Sequence, residues 1–304
     1  MRLAVLLAAV VTVSLTSAQA PQPAVFRAET ELVRITATVM DTRGEPVMDI
    51  RKEEFVLLDN GVRQEIALFA QDPATPVSVL VLLDISGSME INFAAIQAGL
   101  RSFVAEIRSD DQLGLMTFAD TVQLVSPLDG PRDDLMRALG GLRSGGATAL
   151  YDGIVQGLGV LAQARHHKRV LMLLSDGNDT KGKVGPGDAV RASERSDALM
   201  YGIGLGHGGR GSFLSLFDRG RMRVMRSLAG ASGGRAELVP NPKGLFGDMV
   251  SEMIAAYGRE LHQQYTLGYY PSMRDAGKEK HQVRVQVGRA GMVVRARSVY
   301  RRVP

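Results

Sequence analysis

Asp84, Ser86 and Ser88 alternate in the stretch V-L-L-D-I-S-G-S-M-E, residues 81–90, directly behind a run of aliphatic residues. In extended chain, alternate residues share a side, so one carboxylate and two hydroxyls are aimed in one general direction. An oxygen-only set of this kind suits a hard cation such as Mg²⁺, Mn²⁺ or Ca²⁺ better than zinc. Three oxygens fall short of an octahedron, and two other stretches supply more. R-S-G-G-A-T-A-L-Y-D, residues 143–152, passes through glycines to Thr148 at the start of a predicted helix. L-M-L-L-S-D-G-N-D, residues 171–179, is an aliphatic strand that ends in Asp176.

The same residues suggest other chemistry. Serine beside aspartate evokes a nucleophile, yet no G-x-S-x-G surrounds Ser86 and no motif places a His as its base. A Mg²⁺-dependent hydrolase acting on phosphates would need a Walker sequence or a second carboxylate pair, and neither is present. Gly204, Gly206 and Gly209 match G-x-G-x-x-G, but a dinucleotide fingerprint belongs to the first β-α turn and this one comes late. It reads as a chance match in a flexible loop near the metal edge. His166 and His167, in A-R-H-H-K, read as surface residues at a helix end. The plainest alternative makes Ser86 and Ser88 helix N-caps of a structural scaffold with an unoccupied site. It leaves unexplained why Thr148 and Asp176 fall on the same sheet edge.

The elements that position these residues follow from hydrophobic period. Val77–Leu83 is a nearly unbroken aliphatic run, as expected of a strand covered on both faces, and residues 91–107 repeat apolar positions at helical spacing. Strand candidates follow at 112–118, 122–125, 169–174, 200–205 and 235–239. Helix candidates fall at 132–142, 149–164, 187–199, 221–228 and 242–257. The order gives an α/β domain over 76–257 with a mainly parallel sheet, helices on both faces and ligands at the carboxyl ends of its strands. Its flanks are all-β. Residues 26–72 hold a strand over 31–40, then a D-N-G hairpin between Phe55–Leu58 and Arg63–Phe69; residues 258–304 return to strand alternation at 265–270, 281–287 and 292–298, with turns at 271–277 and 288–291. Each flank lacks strands the other supplies, so one β-sandwich made from both ends, with the α/β domain inserted, is expected.

D-I-S-G-S at 84–88, Thr148 in its Gly-rich loop and Asp176 in S-D-G resemble the metal-ion-dependent adhesion site of von Willebrand factor A domains. The resemblance spans about residues 76–257. It implies that Ser86 and Ser88 ligate a divalent cation, Mg²⁺ or else Mn²⁺ or Ca²⁺, while Asp84, Thr148 and Asp176 bind it directly or through water. It also implies a protein partner that presents Asp or Glu to the cation, so the expected function is metal-dependent binding and not catalysis. The flanks, with D-x-x-G-x-P-V at 41–47 and Q-Y-T-L-G-Y-Y-P at 264–271, resemble bacterial secreted proteins of the VWFA-related type.

Residues 2–20 carry one Arg, an apolar stretch and an Ala18-Gln19-Ala20 end, the pattern of a signal peptide over 1–20. The apolar part is shorter than the roughly 20 residues a spanning helix needs, so no transmembrane span is expected in the mature chain, and export to the periplasm or beyond is. The chain has 304 residues and no cysteine, which excludes disulfides and thiolate chemistry. Its net charge of +4 is small. Arg289, Arg295, Arg297, Arg301 and Arg302 crowd the end with little aromatic interleaving, which reads as a solvated strand face and not a nucleic-acid surface.

Overall fold

The first strands of the computed structural model, which describes residues 32–71, 73–206, 216–239, 246–271 and 278–302, are β1 (Val33–Met40), β2 (Phe55–Asp59), β3 (Val62–Gln64) and β4 (Leu68–Ala70). The expected signal peptide, the start of the first β segment up to Glu31, Gly209 of the glycine motif, the first residues of the helix predicted from Pro242 and the turn at 272–277 lie outside the described residues. β2 and β3 form a hairpin around Asn60 and Gly61, whose φ values of 49° and 80° are those a two-residue Asn-Gly turn needs.

The central segment runs β5 (Val77–Asp84), α1 (Phe93–Glu106), β6 (Gln112–Phe118), β7 (Val122–Ser126), α2 (Arg132–Gly141), α3 (Leu150–Ala162), β8 (Lys168–Ser175), α4 (Pro186–Arg195), β9 (Leu199–Leu205), α5 (Leu216–Ser232), β10 (Arg235–Val239) and α6 (Phe246–Leu261). Six strands form one sheet in the order β10-β9-β8-β5-β6-β7, parallel except for the edge strand β7. β5 is buried from end to end because helices cover both faces. Val77, Val79, Val81 and Leu83 pack with α1, α2 and α6, while Leu80 and Leu82 pack with α3, α4 and α5. This is the expected Rossmann-like arrangement, in which all the polar strand ends collect at one edge. Two glycines of the 202–209 stretch lie inside β9. A Cβ on Gly202 would sit 2.9 Å from Ala236 Cβ, and one on Gly204 would sit 2.1 Å from the Met222 sulfur. Close packing of α5 and β10 on β9 accounts for them.

β11 (Tyr265–Tyr269), β12 (Lys280–Val287), β13 (Val293–Ala296) and β14 (Val299–Arg301) complete two antiparallel sheets with the first flank, in the orders β13-β1-β11-β4 and β14-β12-β2-β3. Ile35, Val39, Leu57, Tyr265, Leu267 and Val283 fill the space between them, so the sandwich drawn from both ends is present. It corrects two expectations. The single strand expected over Arg63–Phe69 is broken: β3 stays with β2, and β4 crosses to the opposite sheet beside β11. The strand expected over 292–298 is shortened to β13, which ends at Ala296, and a further strand not read from the sequence, β14, follows Ser298 in the opposite sheet.

The terminal arginines are not a solvated face. Arg295 reaches Glu260 on α6, and Arg301 reaches Glu194 on α4. Arg297 is buried and donates to the carbonyls of Glu194, Ser196 and Val299. Arg289 bridges Asp49 (2.8 Å) and Glu54 (3.1 Å) within the sandwich. The sequence stretch that looked like a charged surface is the clamp between the sandwich and the inserted domain, because a buried cation must find acceptors wherever the fold provides them. At the same, amino-terminal end of the parallel strands, Asp111 accepts from Val77 N–H (2.8 Å) and approaches His262 Nε2 (3.2 Å), so it ties the two chain crossings between sandwich and domain.

Candidate metal centre

Asp84 is the last residue of β5 and is fully buried. Both of its oxygens are engaged: Ser86 N–H donates to Oδ1 (2.9 Å) and Ser175 Oγ–H donates to Oδ2 (2.7 Å). The chain then turns, so that Ser86 Oγ and Ser88 Oγ stand 3.1 Å apart. A short 3-10 turn over Gly87–Asn92 precedes α1, which makes the helix begin later than the spacing from Ile91 predicts. Ser86 occupies its N-cap position but makes no capping bond through its side chain. The capping explanation for Ser86 therefore fails.

Three loops meet here through main-chain bonds. Gly145 N–H donates to the Ile85 carbonyl (2.7 Å) and Gly87 N–H to the Gly146 carbonyl (3.1 Å), which joins the Gly-rich loop to the Ser86–Ser88 turn. Gly146 has φ 84°, and a Cβ there would lie 2.5 Å from an Asp120 oxygen, so this contact requires glycine. Thr148, buried, donates its N–H to Thr180 Oγ1 (3.0 Å), while its carbonyl accepts from Thr180 N–H (2.8 Å) and Lys181 N–H (3.0 Å). Asp176 follows β8 directly and is buried; its Oδ1 accepts Asn178 N–H (2.9 Å). Asp84, Ser86, Ser88, Thr148 and Asp176 thus fall on one sheet edge, in three loops that hold one another.

The sequence did not single out several residues that build this edge. Ser175 carries the bond to Asp84 and accepts Gly177 N–H (3.0 Å). Asp120 accepts from Lys181 Nζ (2.8 Å) and Ala147 N–H (3.3 Å), which links the end of β6 to both other loops. Asp152 accepts from Lys183 N–H (2.7 Å) and Val184 N–H (3.2 Å). The motif S-D-G contained the signal for Ser175; nothing local marked Asp120.

The donor chemistry fits a small hard cation. Two adjacent ligands of an octahedral ion at about 2.1 Å stand about 3 Å apart, close to the Ser86–Ser88 oxygen separation. Among the described residues no three His, Cys, Asp or Glu side chains gather to hold a metal, so a cation here depends on hydroxyl oxygens.

Burial holds the Asp84 carboxyl up at about 6, and the Asp176 charge acts the same way against the bonds from Ser86 and Ser175. The folded chain without metal therefore takes up a proton here more readily than the unfolded chain, whose carboxyl titrates near 3.8. The charged form costs stability above about pH 6, and the cost fades as the pH falls toward the unfolded value. In EDTA, urea denaturation is expected to show wild type gaining about 2 kcal/mol relative to Asp84→Asn between pH 7 and pH 4. A difference that does not change with pH would contradict this account of Asp84.

A family profile described as the von Willebrand factor type A domain matches residues 79–178. Among solved structures, the chain is similar to a D319A mutant of the PilB minor pilin from Streptococcus sanguinis, at 11% identity and TM-score 0.50 over 62% of each chain. It is also similar to proximal thread matrix protein 1 from the mussel byssus, described with a zinc-occupied MIDAS motif, at 18% identity and TM-score 0.50 over 67% of this chain and 49% of that one. A von Willebrand factor type A structure from Catenulispora acidiphila matches at 17% identity and TM-score 0.48, over 76% of this chain and 51% of the other. This chain spans less than two thirds of the length of each of these three. None of the curated proteins compared matches it.

Proposed function

Because the chain carries a von Willebrand factor type A domain, we propose that it is an exported binding module whose metal centre takes an acidic side chain of a partner protein. Ser86, Ser88 and Thr148 would hold a divalent cation, with Asp84 and Asp176 supporting it. The observation that carries this reading is the pair of serine hydroxyls 3.1 Å apart above a buried carboxylate. Hydroxyl ligands neutralise little charge, so the bound cation supplies an electrophilic position for an Asp or Glu carboxylate. The chain's own residues do the positioning. Asp84 orients Ser86 through its backbone N–H and is itself oriented by Ser175, while the Thr180 and Lys181 amides fix the Thr148 loop. The zinc named for the mussel protein supports a divalent ion at such a site; the hydroxyl set here favours Mg²⁺. Export, to the periplasm or the cell exterior, is part of the proposal and rests on the pattern of residues 2–20. Among the described residues no helix is long and apolar enough to cross a membrane.

Capture of partners from the exported fraction tests the reading. A protein retained in Mg²⁺, released by EDTA and missing with Asp84→Ala is expected. Capture indifferent both to EDTA and to Asp84→Ala would overturn it.

A further inference from the structure

The sandwich leaves a seam where its two sheets do not close. β14 pairs with β12 only along residues 280–282, and β13 is the outer strand of the other sheet. A groove of about 660 Å³ lies between them. The direction of the β12 backbone along it follows from Gln282. Its carbonyl accepts Asn60 N–H (2.8 Å) and its N–H donates to Asn60 Oδ1 (3.1 Å), both on the β2 side. Alternation turns the backbone groups of Val283, Val285 and Val287 the other way. Val283 N–H donates to the Ser298 carbonyl (2.8 Å), and beyond it no strand pairs with β12 on that side among the described residues. The N–H and C=O groups of Val285 and Val287 therefore face the seam as an open strand edge, the feature on which an extended chain pairs.

The side chains around this edge narrow the choice of occupant. Val283, Val285, Val294, Ala296 and Leu58 give the groove apolar walls. Its charged lining is Arg284 and Arg297, with no Asp or Glu. Arg297 is committed to the carbonyls of Glu194, Ser196 and Val299. Arg284 is exposed and forms no ion pair or side-chain hydrogen bond among the described residues, whereas its neighbours along the chain Arg289, Arg295 and Arg301 are ion-paired. An uncommitted cation beside an apolar groove and a row of open backbone groups complements an extended acidic segment.

We propose that the seam binds an acidic extended peptide of a partner protein by strand addition to β12. Backbone groups of Val285 and Val287 supply the pairing, alternate apolar side chains of the peptide enter the groove, and a Glu or Asp of the peptide pairs with Arg284. This surface is separate from the metal centre and does not depend on it.

The test uses the full chain and a blocked hexapeptide of alternating Val and Glu, with a Val and Lys peptide as its counterpart. The acidic peptide is expected to shift the amide resonances of Val285 and Val287, to slow their hydrogen exchange, and to do so equally in EDTA. Arg284→Glu is expected to weaken it about tenfold and to favour the Lys peptide. Val285→Pro removes an outward N–H that β2 does not use and should abolish binding; if that variant does not fold, the Arg284→Glu result decides. Equal affinity of wild type and Arg284→Glu for the acidic peptide, or perturbation elsewhere on the molecule, would overturn the proposal. Protection of the two amides that rises with protein concentration in the absence of peptide would assign the seam to a second copy of the chain and overturn it as well.

Discussion

Mg²⁺ at about a hundred times its dissociation constant is expected to raise the melting temperature of the wild-type chain by about 5–10 °C, and that of Asp84→Asn not at all. The size follows from mass action. An ion that binds the folded state alone at that excess contributes about 2.7 kcal/mol, and each kcal/mol moves a melting temperature by roughly 2–4 °C in a protein of this size. Asparagine preserves the volume at the buried end of β5 but removes the negative charge. It also turns one acceptor into a donor facing either Ser175 Oγ–H or Ser86 N–H, so its own melting temperature without metal falls too. The informative quantity is therefore the shift on adding Mg²⁺, read by differential scanning calorimetry in each variant. Ser86→Ala should reduce the shift because it removes one hydroxyl of the close pair. A wild-type shift reproduced in full by Asp84→Asn would show that the ion binds elsewhere. No shift in wild type at millimolar Mg²⁺ would show that this edge does not hold the ion under those conditions.

Why the metal edge could be read from sequence while the clamp could not is a matter of range. β5 and β8 are parallel central strands, so both faces are buried and the aliphatic runs stand out; Asp84 and Asp176 break them where the strands end. Thr148 was visible because glycines announce a loop. The break between β3 and β4 was invisible because both sheets face one core: alternation continues smoothly through buried Ile66 while the chain changes partner. The arginines misled for a related reason. Arg301 meets Glu194, and Arg295 meets Glu260, from positions 107 and 35 residues away, and no local pattern shows that a charge at one place has its acceptor at the other.

Glu260→Ala is expected to cost about 3–5 kcal/mol, the range for removing one partner of a buried ion pair. The Glu260 side chain is 6% exposed and faces two cations, Arg295 from β13 and Arg235 from β10 (3.5 Å). It also accepts Tyr201 Oη–H, and Tyr201 in turn accepts from Gln264 Nε2 (3.0 Å). Burial first, and then the Glu260 charge, hold the Tyr201 hydroxyl well above its ordinary range, so it remains a donor at any accessible pH. Alanine would leave two guanidinium groups and a buried hydroxyl donor without their common acceptor. These groups come from the inserted domain (Arg235, Tyr201) and from the sandwich and its entry (Arg295, Gln264), so the loss falls on the junction between them. Calorimetry should then show the single wild-type transition broadened or divided, with the sandwich amides losing hydrogen-exchange protection before those of β5 and β8. Glu260→Gln, which keeps an acceptor while losing the charge, should fall between wild type and alanine. An alanine variant that melts within about 1 °C of wild type, a change below roughly 0.5 kcal/mol, would mean that the arginines find other acceptors and that packing alone holds the sandwich to the domain.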